Sequence, residues 1–170
     1  MIEEFDRKTT CSFTGHRVFS WGRNELDPRC ETTKIAVADA VKKACKMGYK
    51  TFLNGMALGA DMMCAEIVLA LKKKYKDIQL VCVLPCNDQE KRWNEGDKNR
   101  YKYILSKADT IVTLADSYFN GCMQVRDKYL VDNASRLIAI FTGKKGGTSL
   151  TVGLGVKAGI DIEIINPENL

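Results

Sequence analysis

Near its C-terminus the chain reads Arg136-Leu-Ile-Ala-Ile-Phe-Thr-Gly-Lys-Lys-Gly-Gly-Thr-Ser-Leu-Thr-Val152. The apolar residues up to Phe141 favour a β-strand, and the glycine-rich turn after them leads to a predicted helix near Thr148. At such a junction unpaired N–H groups and the helix dipole attract an anion, and glycines let a phosphate approach the backbone. The segment therefore predicts a phosphate site, with a plain tight turn as the alternative. The residues assigned to this loop are Gly143, Lys144, Lys145, Gly146, Gly147 and Thr148.

This loop lacks the spacing of an ATP-hydrolysing P-loop. That motif reads G-x-x-x-x-G-K-[ST], whereas Lys144 and Lys145 come before the glycine pair in this chain. The dinucleotide fingerprint G-x-G-x-x-G is not present in the loop either. P-loop ATP hydrolysis is therefore not predicted.

Short β-type runs alternate with longer helical patterns along the chain. The predicted strands are Thr10–Phe13, Thr51–Leu53, Gln79–Leu84, Thr110–Leu114, Arg136–Phe141 and Glu163–Ile165. The predicted helices are Thr32–Met47, Ala60–Tyr75, Asp88–Ser106, Gly121–Asn133 and Ser149–Ala158. Such alternation requires crossover connections between parallel strands. We therefore predict an α/β fold with one doubly wound, mostly parallel, Rossmann-like sheet and helices on both faces.

The composition is ordinary for a soluble globular protein. The 170 residues fit one domain spanning 1–170, with 45% hydrophobic and 28% charged residues. No apolar run reaches the length of a membrane span, and the charged N-terminus lacks a signal-peptide core. These features predict a cytoplasmic protein with no membrane partner. The net charge of +5 permits anionic ligands, including nucleic acid, without requiring them.

The seven cysteines are scattered singly, and only one histidine could complete a zinc site with them. Cys11, Cys45, Cys64 and Cys82 have apolar neighbours and are typical of small buried hydrophobic residues. The sequence therefore predicts reduced thiols, no disulfide framework and no metal site.

Ligands of doubly wound sheets bind beyond the carboxyl ends of the strands, so the residues that follow each strand are candidates. After the first strand come Gly15, His16 and Arg17, the last of which could clamp a phosphate or carboxylate. Gly15 would let the ligand approach the backbone, and His16 could move a proton or donate a hydrogen bond. The alternative is a surface turn in which Arg17 pairs with a local acid.

After the second strand, Gly55 and Gly59 suit a tight turn that leads into the second helix. Asp61 lies in the first turn of that helix, where capping of N–H groups is its expected role. Glu66 interrupts an otherwise apolar helix, so we expect it to have a partner and to organise the first loop.

Aromatic and basic side chains follow the third and fourth strands. Gln89 and Trp93 lie four residues apart and would share a helix face, where Trp93 either stacks on a base or anchors the core. Tyr118 could also stack on a base. Arg126 could reach the ligand, or pair with Asp127 or Asp132 on the surface.

Together these residues resemble the YpsA-like branch of the SLOG superfamily, whose Rossmann-like domains are related to the DNA-processing protein DprA and the LOG cytokinin-activating hydrolases. The resemblance runs from residue 12 to residue 159. It rests on Thr14-Gly-His-Arg17, Gly55-Met-Ala-Leu-Gly-Ala-Asp61 with Glu66, Gln89-x-x-x-Trp93, Tyr118 with Arg126, and Gly146-Gly-Thr148. It implies a pocket for a nucleotide or a nucleotide derivative, with both glycine loops near phosphate or sugar.

The chain departs from the LOG pattern in one respect. In LOG hydrolases, glutamates that assist cleavage of the base–ribose bond follow the glycine loop, whereas Ser149, Leu150 and Thr151 follow Thr148. YpsA-like sequences also often carry asparagine after the arginine, where this chain has Asp127. The resemblance therefore implies the pocket but does not by itself supply a reaction, and the sequence identifies no catalytic residue.

Three functions follow from these observations. The first is binding of a nucleotide or nucleotide-derived, phosphate-bearing ligand in a sensing or regulatory role, with no other cofactor. The second is a nucleotide-processing enzyme of the N-glycosidase type, for which Asp61, Glu66 or Asp116 would have to supply the carboxylate. The third is single-stranded DNA binding as in DprA. Assembly into a homo-oligomer is an open alternative.

Overall fold

In the computed structural model, which describes residues 5–170, parallel strands alternate with α-helices along the chain. The strands are β1 (Thr10–Gly15), β2 (Thr51–Asn54), β3 (Gln79–Leu84), β4 (Thr110–Thr113), β5 (Arg136–Ile140) and β6 (Asp161–Ile165). The helices are α1 (Pro28–Lys46), α2 (Ala60–Leu71), α3 (Glu95–Lys107), α4 (Cys122–Asp132) and α5 (Gly147–Ala158). The α/β fold expected from the alternation is confirmed.

The strands form one six-stranded parallel sheet in the order β4-β3-β2-β1-β5-β6. In the centre, Cys11 of β1 lies opposite Phe52 of β2 on one side and Arg136 of β5 on the other. The chain extends the sheet in one direction from β1 to β4 and then crosses back to add β5 and β6. The strand order therefore reverses between β1 and β5, the point at which such sheets bind ligands.

Helices cover both faces of the sheet, as expected. On β3, Leu80 and Cys82 belong to the larger core, which also contains buried residues of α1, α2 and α3. Val81 and Val83 point to the opposite face and pack with Leu130 of α4. Within residues 5–170, no helix combines the length and the apolar content needed to cross a membrane.

Four of the five helices begin at positions other than those predicted, and for α1 and α3 the difference exceeds two residues. Helix α1 starts at Pro28, because the Asp27 carboxylate accepts the Arg29 N–H and caps the first turn. Helix α3 starts at Glu95 and not at Asp88, because the Asn94 side chain accepts the Asp97 N–H. The residues between Asp88 and Asn94 form turns, so the prediction that Gln89 and Trp93 share a helix face is wrong.

All seven cysteines are free thiols. Cys11, Cys64 and Cys82 are buried, as predicted, and Cys45 is half-buried. Burial in apolar surroundings disfavours the thiolate and raises the pKa of Cys82 to about 12. These side chains serve as small core residues.

Gly15 allows β1 and α2 to approach closely. A Cβ atom at this position would lie 2.3 Å from the Ala60 Cβ and 3.1 Å from the Ile140 Cβ. The space that the missing side chain leaves is therefore filled by the first residue of α2. Protein packing alone therefore requires a glycine at this position, and the role of Gly15 in admitting a ligand stays a prediction.

This contact predicts the effect of a methyl group on stability. Gly15→Ala should lower the free energy of unfolding by about 1–3 kcal/mol, since backbone and helix would have to move apart. The double variant Gly15→Ala with Ala60→Gly removes the collision and should recover most of that loss in urea titrations.

The matched control is Gly153→Ala, at an exposed helical position where an added Cβ meets no atom within 4 Å. It should stabilise the protein slightly, because alanine favours helix over glycine. Equal stability of Gly15→Ala and the parent would contradict the packing account.

Candidate ligand-binding cleft

A cleft of about 200 Å³ opens where the strand order reverses. The loops after β2 and β5 flank the end of β1, and α4 contributes the remaining wall. We call it the switch-point cleft. Of the predicted site residues, the cleft brings together Gly15, His16, Arg17, Asp61, Arg126, Gly147 and Thr148.

The start of α5 forms one wall of this cleft. Gly146 is the N-cap residue and has no side-chain cap, while the Ser149 hydroxyl accepts the Gly146 N–H at 2.9 Å. The N–H groups of the first helical turn have no acceptor within the helix, and the dipole makes this end positive. The start of α5 therefore offers an anion-binding terminus that lines the cleft.

Glycine occupies the positions of this loop for different structural reasons. Gly143 has φ of 92° and Gly146 has φ of 152°, so the turn itself favours glycine at both positions. Gly147 has no such φ, and a Cβ there would meet no protein atom within 4 Å. The protein's own packing therefore leaves the space beside Gly147 open. Lys144 and Lys145 are exposed on the same loop.

His16 ties the loop after β1 to the end of β5. Its Nε2 accepts the Thr142 N–H at 3.1 Å, which requires that this nitrogen be unprotonated. Burial lowers the pKa of His16, and the positive charge of Lys144 lowers it further. The imidazole is therefore neutral at pH 7 and holds two loops of the cleft together.

The loop after β1 lies across the turn that precedes α2. The Ala60 N–H donates to the His16 carbonyl at 3.1 Å, and a Cβ on Gly59 would lie 2.4 Å from the Arg17 carbonyl oxygen. Gly59 has φ of 83°, so the turn also favours glycine there. This crossing fixes the backbone of Arg17 at the rim of the cleft. The Arg17 side chain is exposed and has no ion pair within residues 5–170.

Arg126 is buried beneath the turn after β2, which contains Gly55 and Gly59. Its Nη1 donates to the Gly55 carbonyl at 2.9 Å, and its Nε donates to the Asp127 carboxylate at 3.0 Å. A Cβ on Gly55 would lie 2.7 Å from the Arg126 Cδ. Gly55 thus makes room for this guanidinium, which holds the turn through a hydrogen bond and also brings a positive charge to the cleft. Arg17 and Arg126 line the same cleft from different strand ends, as expected.

Asp61 does not cap its own helix, which corrects the expectation. Gly59 is the N-cap of α2, and the Asp61 Oδ2 accepts the Ala57 N–H at 3.1 Å, in the turn before the helix. Only 6% of Asp61 is exposed. Burial raises the pKa of this carboxyl to about 6, although the Arg126 charge opposes the shift. A carboxyl of raised pKa in a cleft is typical of a functional site.

Glu66 lies outside the switch-point cleft, in an ion-pair cluster. The guanidinium of Arg100, on α3, pairs with Glu66 and also with Glu25 of the loop after β1. Glu66 therefore helps to position the first loop, as expected. The cavity between this cluster and Arg17 has a volume of only about 20 Å³, little more than a water molecule needs.

The two predicted stacking residues differ in their surroundings. Trp93 packs edge-on against the Tyr101 ring, with ring centroids 5.2 Å apart, and joins the larger core. Tyr118 is exposed and lines a second cavity of about 460 Å³ together with Lys91 and Arg92. Met123 lines both this cavity and the switch-point cleft, so the two are neighbours. The sequence does not single out Met123 as a residue of this cleft, because a methionine in a helix usually belongs to the hydrophobic core.

Asp61 makes stability depend on pH. Because its pKa in the folded protein exceeds the ordinary value of 3.8, the folded state binds more protons than the unfolded state between pH 4 and 6. Stability is therefore lost as pH rises through that window, by about 3 kcal/mol for a pKa shift to about 6.

The variant Asp61→Asn tests this dependence, because asparagine keeps an acceptor for Ala57 and cannot ionise. The free energy of unfolding of Asp61→Asn, measured against the parent, should rise by about this amount from pH 4 to pH 8; a constant difference would contradict the account.

Comparison with known proteins agrees with this architecture. Residues 11–156 match the YspA SLOG family. The UPF0398 protein BH1768 of Halalkalibacterium halodurans is 30% identical over 167 residues, which cover 94% of this chain and 88% of that protein.

Two solved structures share the fold. DNA processing protein A of Helicobacter pylori, whose single-stranded DNA binding mode has been described, superposes with a TM-score of 0.65 at 18% identity. The same protein of Streptococcus pneumoniae superposes with a TM-score of 0.64 at 14% identity. The alignments cover 94% and 92% of this chain, but only 66% and 50% of those two chains. From the match over residues 11–156, we conclude that this chain belongs to the YspA SLOG family.

Proposed function

We propose that the protein binds a nucleotide or nucleotide-derived, phosphate-bearing ligand in the switch-point cleft, in a sensing or regulatory role. The observation that carries this proposal is the meeting of two anion-attracting groups at one opening. Arg17, which has no ion pair within residues 5–170, and the start of α5 line the same cleft. An arginine clamp and a helix N-terminus are both common phosphate ligands in proteins.

The cavity beside the cleft suits the other end of such a ligand. The exposed Tyr118 ring offers a flat apolar face on which a base can stack. Lys91 and Arg92 add positive charge beside it. Met123 joins the two spaces, so a nucleotide with its phosphate near α5 would extend its base toward Tyr118.

Single-stranded DNA binding is the second candidate. It is favoured by the combination of Lys91 and Arg92 with the exposed Tyr118 in a cavity that shares Met123 with the cleft. Basic grooves with aromatic stacking residues are typical of proteins that bind single strands. The H. pylori protein of similar fold binds single-stranded DNA, and this chain has a net charge of +5.

Nucleotide hydrolysis of the N-glycosidase type is a third candidate, and it depends on Asp61. This is the carboxyl of raised pKa in the cleft, whereas Glu66 is held by Arg100. Release of free base from nucleoside monophosphates, well above background and abolished by Asp61→Asn, would move the enzyme to first place. We expect no such release.

The start of α5 can be tested without harming the fold. Gly147→Val should weaken nucleotide affinity about tenfold or more, because the added branch occupies the open space where a phosphate would approach. The matched control is Gly153→Val, the same substitution on the exposed side of the same helix, and it should bind like the parent. Isothermal titration calorimetry measures both. Equal affinities of the two variants would show that the loop is only a turn.

Arg17 provides an independent test of the same site. Losing one charge-assisted hydrogen bond to a phosphate costs about 1.5–3 kcal/mol, so Arg17→Ala should weaken nucleotide binding about tenfold or more. Arg23→Ala removes an arginine of the same loop that already pairs with Asp97, and it should leave the affinity unchanged.

A competition experiment separates the first two functions. A labelled oligonucleotide that binds tightly, and that mononucleotides at millimolar concentration do not displace, would favour single-stranded DNA. Tight binding of mononucleotides with no measurable oligonucleotide binding is the result that we expect.

A further inference from the structure

We propose that Asp61 accepts a hydrogen bond from the ribose 2′-hydroxyl of the bound ligand, so that the cleft selects ribonucleotides over 2′-deoxyribonucleotides. This inference rests on the proposed function and names the ligand class of that site. It starts from a carboxylate that lines the cleft although it is almost completely buried.

The hydrogen bonds of Asp61 leave it with spare acceptor capacity. An ionised carboxylate has about four lone-pair sites and no proton to donate. The Ala57 N–H, 3.1 Å from Oδ2, takes one of these sites. The remaining sites can accept a donor from the ligand, whereas the negative charge repels a phosphate. The 2′-hydroxyl is a donor that every ribonucleotide carries and that every 2′-deoxyribonucleotide lacks.

The carboxylates of the cleft and the start of α5 lie on different walls. Asp61 lies at the start of α2 and Asp127 on α4, so the walls after β2 and β4 carry carboxylates. Arg126 already donates to the Gly55 carbonyl and to Asp127. The start of α5 lies on the other side of β1, and Arg17 stands at the rim. A phosphate therefore belongs near α5, and the sugar next to it reaches toward Asp61.

The turn that carries Asp61 is held rigidly. The Asn54 Nδ2 donates to the Asp61 carbonyl at 2.7 Å, and the Asn54 Oδ1 accepts the Met56 N–H at 2.8 Å. Asn54 is fully buried. Met56 adopts φ of 57°, a left-handed conformation that a residue with a side chain rarely takes. Such backbone strain is common where a turn must present a functional group in one orientation.

The test compares eight ligands on the intact protein. Affinities for the four ribonucleoside 5′-monophosphates and their four 2′-deoxy counterparts are measured by isothermal titration calorimetry at pH 8, where Asp61 is ionised. For the base that binds best, we expect the parent to prefer the ribose form about tenfold, as for one charge-assisted hydrogen bond.

Two variants assign that preference to Asp61. Asp61→Asn removes the charge and keeps an acceptor for Ala57, so the ribose preference should fall to about twofold or less while the deoxy form binds at least as well. Asp132→Asn makes the same change on the surface, where Asp132 pairs with Lys128, and it should keep the preference of the parent. Circular dichroism of each variant confirms that the fold is intact.

The outcomes separate this inference from the function on which it rests. Equal binding of ribose and deoxyribose forms by the parent would overturn the inference and leave nucleotide binding in place. A ribose preference that survives in Asp61→Asn would also overturn it, since another group would then read the hydroxyl. If none of the eight nucleotides binds, both the proposed function and the inference fail.

Discussion

The switch-point cleft depends on one close crossing of two backbones. The loop after β1 lies directly on the turn before α2, where the Ala60 N–H donates to the His16 carbonyl. Gly15 and Gly59 make this approach feasible, because a side-chain carbon at either position would lie within 2.4 Å of a neighbouring atom. His16 then fastens the same loop to Thr142, at the end of β5. Three strand ends are thereby held in one arrangement around an open space.

The residues around this space combine groups that attract anions with a buried carboxyl group. Arg17 and the start of α5 favour anions, while the buried carboxyl of Asp61 raises the free energy of the folded protein at neutral pH. Ionisable groups that lower the stability of the folded protein are common in sites that bind ligands or catalyse reactions. A ligand with a phosphate at one end and a hydroxyl donor at the other would satisfy both kinds of group.

The fold and the location of the cleft could be predicted from the sequence, because both depend on local patterns. Alternating β-type and helical runs predict a parallel sheet, and the rule of strand ends then brings Gly15, Arg17 and Gly147 to one edge. The roles of individual side chains required tertiary packing. Gly55 makes room for Arg126, and Asp61 accepts a hydrogen bond from Ala57 and does not cap its own helix. The periodicity of the sequence does not predict such contacts, because they form between turns or within a turn. The start of α3 was missed because the Asn94 cap resembles an ordinary polar residue in a helical run.

The most direct measurement of the central claim is a nuclear magnetic resonance titration that maps where a nucleotide binds. Ribonucleoside 5′-monophosphates are added to ¹⁵N-labelled protein, and the backbone amide shifts are followed. The account predicts the largest and saturable shifts at Arg17, Gly147 and Thr148, with none near Tyr103 in the C-terminal half of α3. Saturable shifts confined to residues outside the switch-point cleft, or no saturable shifts at all, would contradict it.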